Sequence, residues 1–448
     1  MRSPQSITLT LPTVHADALT WFRFGRLGER VILTTDTGDW HVLSPQDFGN
    51  LLSGELDTAG EDYSALTRKG FIRNGFDTEL QATQIRRTKR FIEAGLSEHR
   101  IHLSTPSGTL AMEQAKAIVD HIFGTQGDAL SIVLVQGPAE LDANLVSFIH
   151  EFAEQKNQYE RRAIAYELDS TLAGLDSAMA AQLVEKNIRL RARYGGTAAN
   201  HDHLRGADQP KHADATATLG MVHQAVSAAG RTDYSVFGEV RVGSHALGHA
   251  EALVQGLAAA GIHEFRVTPE LAGPGAIEPT DFGGFMGELM AVVESMNTEG
   301  VATTETQTDA LLARIRTGDL ADRVAMCTLP STGYSARTYG VDGHIYPSGS
   351  ALALHEDGDA MFVLGNVATD TAEDLSNHPT IRSLMVASLV DCTPGYRHLW
   401  SSPYIGIDPV AAYVATGDIF TKMPTSPHHR ATHALVEAAF LHAIAAGD

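Results

Sequence analysis

Two imidazoles and a carboxylate fall within three residues at His201-Asp202-His203, with Arg205 just beyond. That set can ligate a divalent metal. On a helix, residues two apart point different ways, and in a loop nothing fixes them. His201 and His203 are therefore read as polar loop residues, and no metal site is expected. His428-His429 and His433 form a second imidazole group; its simpler reading is a helix cap with two rings on one face. Glu167-Leu168-Asp169 ends an apolar run, so Glu167 and Asp169 could meet a ligand at a strand end. Arg241 and Arg266 lie on or near two later strand-like runs and could hold carboxylates or carbonyls. The cysteines are Cys327 and Cys392 alone. Their spacing fits no metal motif, and both are read as buried small hydrophobes. No catalytic residue is assigned.

The elements that must position these residues begin with a short unit. "ERVILTTDTGDWHVLS" reads as two strands joined at Asp36-Thr37-Gly38. Ser44 caps a helix with Pro45 at its first position. A short helix follows from Tyr63 to Lys69. This is a hairpin with small helices, of winged-helix size.

From residue 99 strands alternate with helices. The strands are 101–104, 130–136, 163–168, 188–193, 234–240 and 264–269, with helices in most gaps and glycines 124, 230 and 261 at C-cap positions. Six βα units imply a parallel sheet, doubly wound or a full or partial barrel. The turn after the first of these strands, Ser104-Thr105-Pro106-Ser107-Gly108, is bare of catalytic groups. Beyond about 325 short turns dominate, with a hairpin-like "RTYGVDGHIYPSG".

Lys+Arg 33 against Asp+Glu 54 gives a net charge of −21. Such a surface repels phosphate backbones and attracts basic partners, so nucleic acid is not expected. No run reaches the ~18 apolar residues of a membrane helix, and the N-terminus lacks a signal peptide's apolar core. A cytoplasmic protein without membrane partners is expected.

The segments "YGVDGHIYPSG", "DGDAMFVLGNV" and "SSPYIGIDPVAAYVATGDIF", with "VQGPAELDANLVSFIHEFAEQKN" and "RYGGTAANHDHLR", resemble the radical SAM peptide maturases that carry a C-terminal SPASM domain. Within them the B-type maturase of the His-Xaa-Ser systems is the match. The resemblance covers most of the chain. It implies an α/β fold: a parallel (βα)6 partial barrel (91–305), a small N-terminal winged-helix-like, recognition-element-like domain (1–90) and an irregular SPASM-like domain (306–448).

The departures shape the functional expectation. The family's first strand is followed by a CxxxCxxC loop that holds a four-iron cluster and SAM; here that loop is absent. The GGEP motif is Gly137-Pro138-Ala139-Glu140, where proline removes an amide donor. Cysteine positions of the SPASM region carry Ser348, Tyr396, Leu399, Ile405 and His429. The region is then held by packing of Trp400, Tyr404, Tyr413 and Phe420.

The expectation is thus a pseudoenzyme without iron–sulfur cluster or SAM. It would bind a ribosomal precursor peptide or an active maturase. The resemblance places peptide recognition at the N-terminal unit, where a leader adds as a strand. Asp39, Trp40, His41, Val42 and Leu43 would form the edge, and Tyr63 and Leu66 the facing wall. The same pattern also suits a small structural subdomain. The alternative is a repurposed enzyme with cluster-independent, metal-dependent chemistry at the barrel mouth.

Overall fold

The computed structural model describes residues 15–80, 82–83, 96–204, 209–318, 332–421 and 425–447. Two compact units emerge: Met1–Thr88 with His398–Pro403, and Lys89–Arg397 with Tyr404–Asp448.

In the first unit β1 (Arg23–Leu27), β2 (Arg30–Thr34) and β3 (Trp40–Leu43) form an antiparallel sheet in that order. The β2–β3 turn closes at Gly38, φ 88°. Helix α1 (Pro45–Ser53) starts where Ser44 Oγ accepts from Asp47 N at 3.0 Å. Helix α2 (Glu61–Arg68) follows. Leu33, Leu43, Leu51, Leu66 and Phe71 make the core, with Phe48 and Tyr63 packed against it. Trp400 belongs to this unit rather than holding the C-terminal region as expected. Thr34 Oγ1 donates to its carbonyl at 2.7 Å. A Cβ on Gly25 would lie 2.2 Å from Trp400 Cδ1, so only glycine lets the indole lie on β1.

The second unit is α/β with one large, mainly parallel sheet. Its strands are β4 (Glu98–His102), β7 (Ala129–Val135), β8 (Ala163–Ser170), β9 (Ile188–Arg193), β10 (Phe237–Val242), β11 (Glu264–Pro269), β12 (Thr304–Glu305), β13 (Ala336–Tyr339), β14 (His344–Tyr346) and β15 (Gly365–Asn366). The order is β12-β11-β10-β9-β8-β7-β4-β13-β14-β15. Pairings from β12 to β13 are parallel, and the last two are antiparallel. A small hairpin, β5 (Ser104–Thr105) and β6 (Gly108–Thr109), caps the end of β4.

The helices are α3 (Met112–Phe123), α4 (Ala143–Glu160), α5 (Ser177–Glu185), α6 (Ala198–Leu204), α7 (His212–Ala228), α8 (Ala250–Ala259), α9 (Pro279–Thr298), α10 (Thr306–Thr317), α11 (Gly349–Glu356), α12 (Ala372–Ser376), α13 (Pro379–Ser388), α14 (Pro409–Thr416) and α15 (Pro427–Ala446).

The six strands read from the sequence are all present. Strands β12 and β13 widen the sheet at its two sides: β13 pairs parallel with β4, Thr338 opposite Arg100. Along β9 burial alternates, with Ile188, Leu190 and Ala192 buried and Arg189, Arg191 and Arg193 half-buried. The apolar face meets the helices, and the other face is polar. Among the described residues no helix is long and apolar enough to cross a membrane.

Candidate functional site

Alternation along parallel strands gathers the charges onto the face opposite the buried apolar side chains. Asp169 on β8 accepts from Arg193 Nε at 2.8 Å and from an Arg100 terminal nitrogen at 2.9 Å. Arg191 spans Glu167, at 2.8 Å, and Glu239. Arg241 pairs with Glu270. Burial pushes the Asp169 carboxyl up, but the charge and hydrogen bond of Arg193, then Arg100 and Arg191, outweigh it and hold it below the usual carboxylate range. Burial likewise works against the Arg191 cation, and Glu239 and Glu167 outweigh it.

A cavity of about 460 Å³ opens over this face, lined by Arg100, Asp169, Arg193, Glu239, Arg241 and Arg266 among others. Three of the four residues proposed for this end, Asp169, Arg241 and Arg266, line it. Glu167 stands one ion pair behind, through Arg191. Arg266 is exposed and has no carboxylate partner among the described residues. Sequence reasoning missed Arg100, Arg191, Arg193 and Glu239. Their signal was the polar half of the alternation in "EHRIH", "IRLRAR" and "GEVRV".

The β4–α3 connection carries hydroxyls. Ser104 Oγ accepts from Ala139 N at 3.1 Å, and Thr105 Oγ1 bonds Ser107 Oγ at 2.8 Å. A Cβ on Gly137 would lie 1.9 Å from Ser104 O, so residues 137–140 rest against the strand end. Beside them lies a cavity of about 490 Å³, lined by Gln136, Gly137, Pro138, Glu140, Thr171 and Arg193 among others. These groups do not fit a cluster held by cysteine thiolates. Cys392 is free and exposed, which corrects its reading as a buried residue. Cys327 lies outside the described residues.

His201 and His203 sit on the short helix α6, not in a loop. His201 is buried: its Nδ1 accepts from Gly195 N at 3.1 Å, and its Nε2 bonds Pro210 O at 3.1 Å. Both nitrogens are thereby used within the fold. His203 packs on His245, ring centroids 3.6 Å apart. Arg205 lies outside the described residues.

His428, His429 and His433 lie on α15, capped by Ser426, whose Oγ accepts from His429 N at 3.3 Å. Burial lowers the His429 imidazole to about 3. Its ring lies edge-on to the buried Tyr396, centroids 4.0 Å apart. Ser348 caps α11, accepting from Ala351 N at 3.3 Å.

Among the described residues of the first unit β3 pairs only with β2. Thr35 N donates to Asp39 O at 2.9 Å, and the register runs from Thr34↔Trp40 to Val31↔Leu43. Bonded pairs alternate in an antiparallel ladder. That phase turns Asp39, His41 and Leu43 toward β2, and the Trp40 and Val42 backbone groups outward. The Lys69 ammonium donates to the outward Trp40 carbonyl at 2.8 Å, while its charge lies 5.1 Å from the Trp40 ring.

His41 Nε2 bonds Asp62 Oδ1 at 2.8 Å, tying α2 to β3. Burial lowers the pKa of the His41 imidazole, against the raising effect of that bond. Asp39 serves the turn, its Oδ2 accepting from Thr37 Oγ1 at 2.6 Å. Leu43 and Leu66 are 1% and 0% exposed, so a strand on this edge meets Trp40, Val42 and Tyr63 but not those two side chains.

No protein-family model and no curated protein matches the chain. Solved structures do. Native anSMEcpe with bound AdoMet aligns at TM-score 0.61 with 13% identity, over 78% of this chain and 98% of that one. SuiB of Streptococcus suis bound to S-adenosylmethionine aligns at 0.54 with 11% identity, over 91% and 99%. The same enzyme bound to its precursor peptide SuiA aligns at 0.54 with 11% identity, over 93% and 99%. The fold is therefore that of the radical SAM peptide maturases. The expectation of neither SAM nor cluster is corrected by this finding: the proteins sharing the fold were solved with AdoMet.

Proposed function

We propose that this chain is a peptide-binding protein on the radical SAM maturase fold that does not itself perform radical catalysis. It is read as a degenerate relative of the B-type His-Xaa-Ser maturases. Its parts are a recognition domain (1–90), a (βα)6 partial barrel (91–305) and a SPASM-like domain (306–448). Its partner is a ribosomal precursor peptide or an active maturase.

The observation that carries the reading is the β3 edge. Val42 offers an outward N–H and C=O to an added strand, with Tyr63 and α2 alongside. Backbone pairing supplies affinity, and pockets for alternate side chains supply selectivity. Lys69 covers the Trp40 carbonyl in the free protein, a cap an incoming strand displaces. Precursor peptide bound to SuiB, on the same fold, supports the peptide as ligand.

The hydroxyl-lined turn after β4 supports the absence of radical chemistry. AdoMet is the small molecule to test first, in the cavity beside Gly137–Glu140. The second reading, cluster-independent chemistry on a peptide, is favoured by Arg266, a cation with no carboxylate partner among the described residues, facing a cavity able to take a carboxylate.

Fluorescence anisotropy with labelled candidate leader peptides tests the edge. Val42→Pro deletes an outward amide while leaving the bonded His41 and Leu43 pairs. Binding should fall at least tenfold, and Asp36→Ser in the turn should bind like wild type. Equal binding by all three folded proteins would refute the edge. Release of 5′-deoxyadenosine on incubation with AdoMet and reductant would refute catalytic silence.

A further inference from the structure

The β13–β14 turn is Gly340-Val341-Asp342-Gly343, leading into His344. It closes through Gly343 N to Gly340 O at 3.1 Å and Gly340 N to His344 O at 2.9 Å. Gly343 has φ +83°, a backbone conformation that favours glycine. Asp342 Oδ1 accepts from His344 N at 3.1 Å, and Oδ2 from His344 Nδ1 at 2.6 Å. From the last turn of α11 His355 reaches the same place. Its ring lies 5.5 Å from that of His344 and 5.6 Å from that of Tyr346. His355 Nδ1 is shut off from solvent and has no hydrogen-bond partner among the described residues. One ligand atom from each of Asp342, His344 and His355 lies within 4.8 Å of the others.

We propose that these three side chains bind a divalent transition-metal ion of the zinc class. Two imidazoles and one carboxylate suit zinc and disfavour calcium or magnesium, which prefer all-oxygen shells. Zinc–nitrogen bonds of about 2.0–2.1 Å place tetrahedral ligands about 3.3 Å apart. The three atoms need shifts of about an ångström to reach that spacing, within reach of side-chain rotation. The ion replaces the hydrogen between Asp342 and His344; that proton moves to the ring's other nitrogen, so neutral imidazole releases none. Three protein ligands leave a position open to water or a ligand. Glu356 is not needed, since Ser107 Oγ already donates to it at 2.8 Å. The bound ion would tie the hairpin to the end of α11.

The test uses the full chain after chelator treatment, titrated calorimetrically with zinc chloride. Wild type should take up one high-affinity equivalent that millimolar magnesium or calcium does not displace. His355→Ala, His344→Ala and Asp342→Asn should each weaken it at least tenfold, on the scale of lost metal-site partners. His245→Ala, beside His203 in the other imidazole pair, should bind like wild type. X-ray absorption on zinc-loaded wild type should show imidazole nitrogens, a readout independent of whether the variants fold. Undiminished binding in folded His355→Ala, loss of the site in His245→Ala, or a zinc shell without imidazole would each overturn the site.

Discussion

Asp169→Asn tests the charged face most sharply. Asp169 is 6% exposed and joins Arg100 and Arg193 through bonds of 2.9 and 2.8 Å. Asparagine keeps the shape but removes the charge, and its amide NH2 must face a guanidinium. A hydrogen bond to a charged group contributes about 1.5–3 kcal/mol, and breaking a buried pair costs about 3–5. The two guanidinium side chains are 26% and 35% exposed, so water screens part of the loss. About 3 kcal/mol is therefore expected. The second unit, about 350 residues long, unfolds with about 2.1 cal/mol/K per residue, so its Tm should fall by about 4 °C.

The pH dependence has a definite sign. The Asp169 pKa is lower folded than unfolded, so its contribution is complete above the ordinary carboxylate range and is lost as pH falls through the folded value. Differential scanning calorimetry should show the gap between wild type and variant at pH 7 narrowing toward pH 3. Equal melting at pH 7, or a gap that widens in acid, would refute the ion-pair argument.

Two further substitutions follow from the geometry. Gly25→Ala forces a Cβ into the Trp400 indole and should destabilise the first unit by about 1–3 kcal/mol, seen in a urea melt followed by tryptophan fluorescence. Unchanged stability would mean Trp400 does not rest on β1. His201→Ala strands the buried Gly195 N–H and should cost about 1–3 kcal/mol with no change in zinc uptake, measured by thermal melting and calorimetry; a loss of zinc would make His201 a ligand after all.

The parallel sheet was legible because its signal is local. Alternation such as Ile188-Arg-Leu-Arg-Ala-Arg193 and apolar runs between glycine stops declare strands without knowledge of their partners. The β13–β14 hairpin was legible in "RTYGVDGHIYPSG", but the parallel pairing of β13 with β4 was hidden because the two lie far apart in sequence, and β12 was hidden because two residues carry no period. Glu167, Asp169, Arg241 and Arg266 could be picked from strand ends. The ion pairs that occupy the first three required the register, which brings β4, β8, β9, β10 and the end of β11 together.

Trp400 was misassigned because aromatic content says nothing of which unit receives it. At the edge the pattern named Asp39–Leu43 as a block. The single Thr35–Asp39 bond sorts that block into inward and outward halves. The Asp342–His344–His355 group was invisible because its third member arrives from a helix end.

The central claim is that a peptide pairs with the outward backbone of β3. Residue-resolved amide exchange by NMR, with and without leader peptide, measures this directly. Protection should rise at the Val42 amide, which points away from β2, and hardly change at His41 and Leu43, already bonded to β2. Saturating peptide that leaves Val42 exchanging at its free rate, with protection appearing elsewhere, would contradict the account.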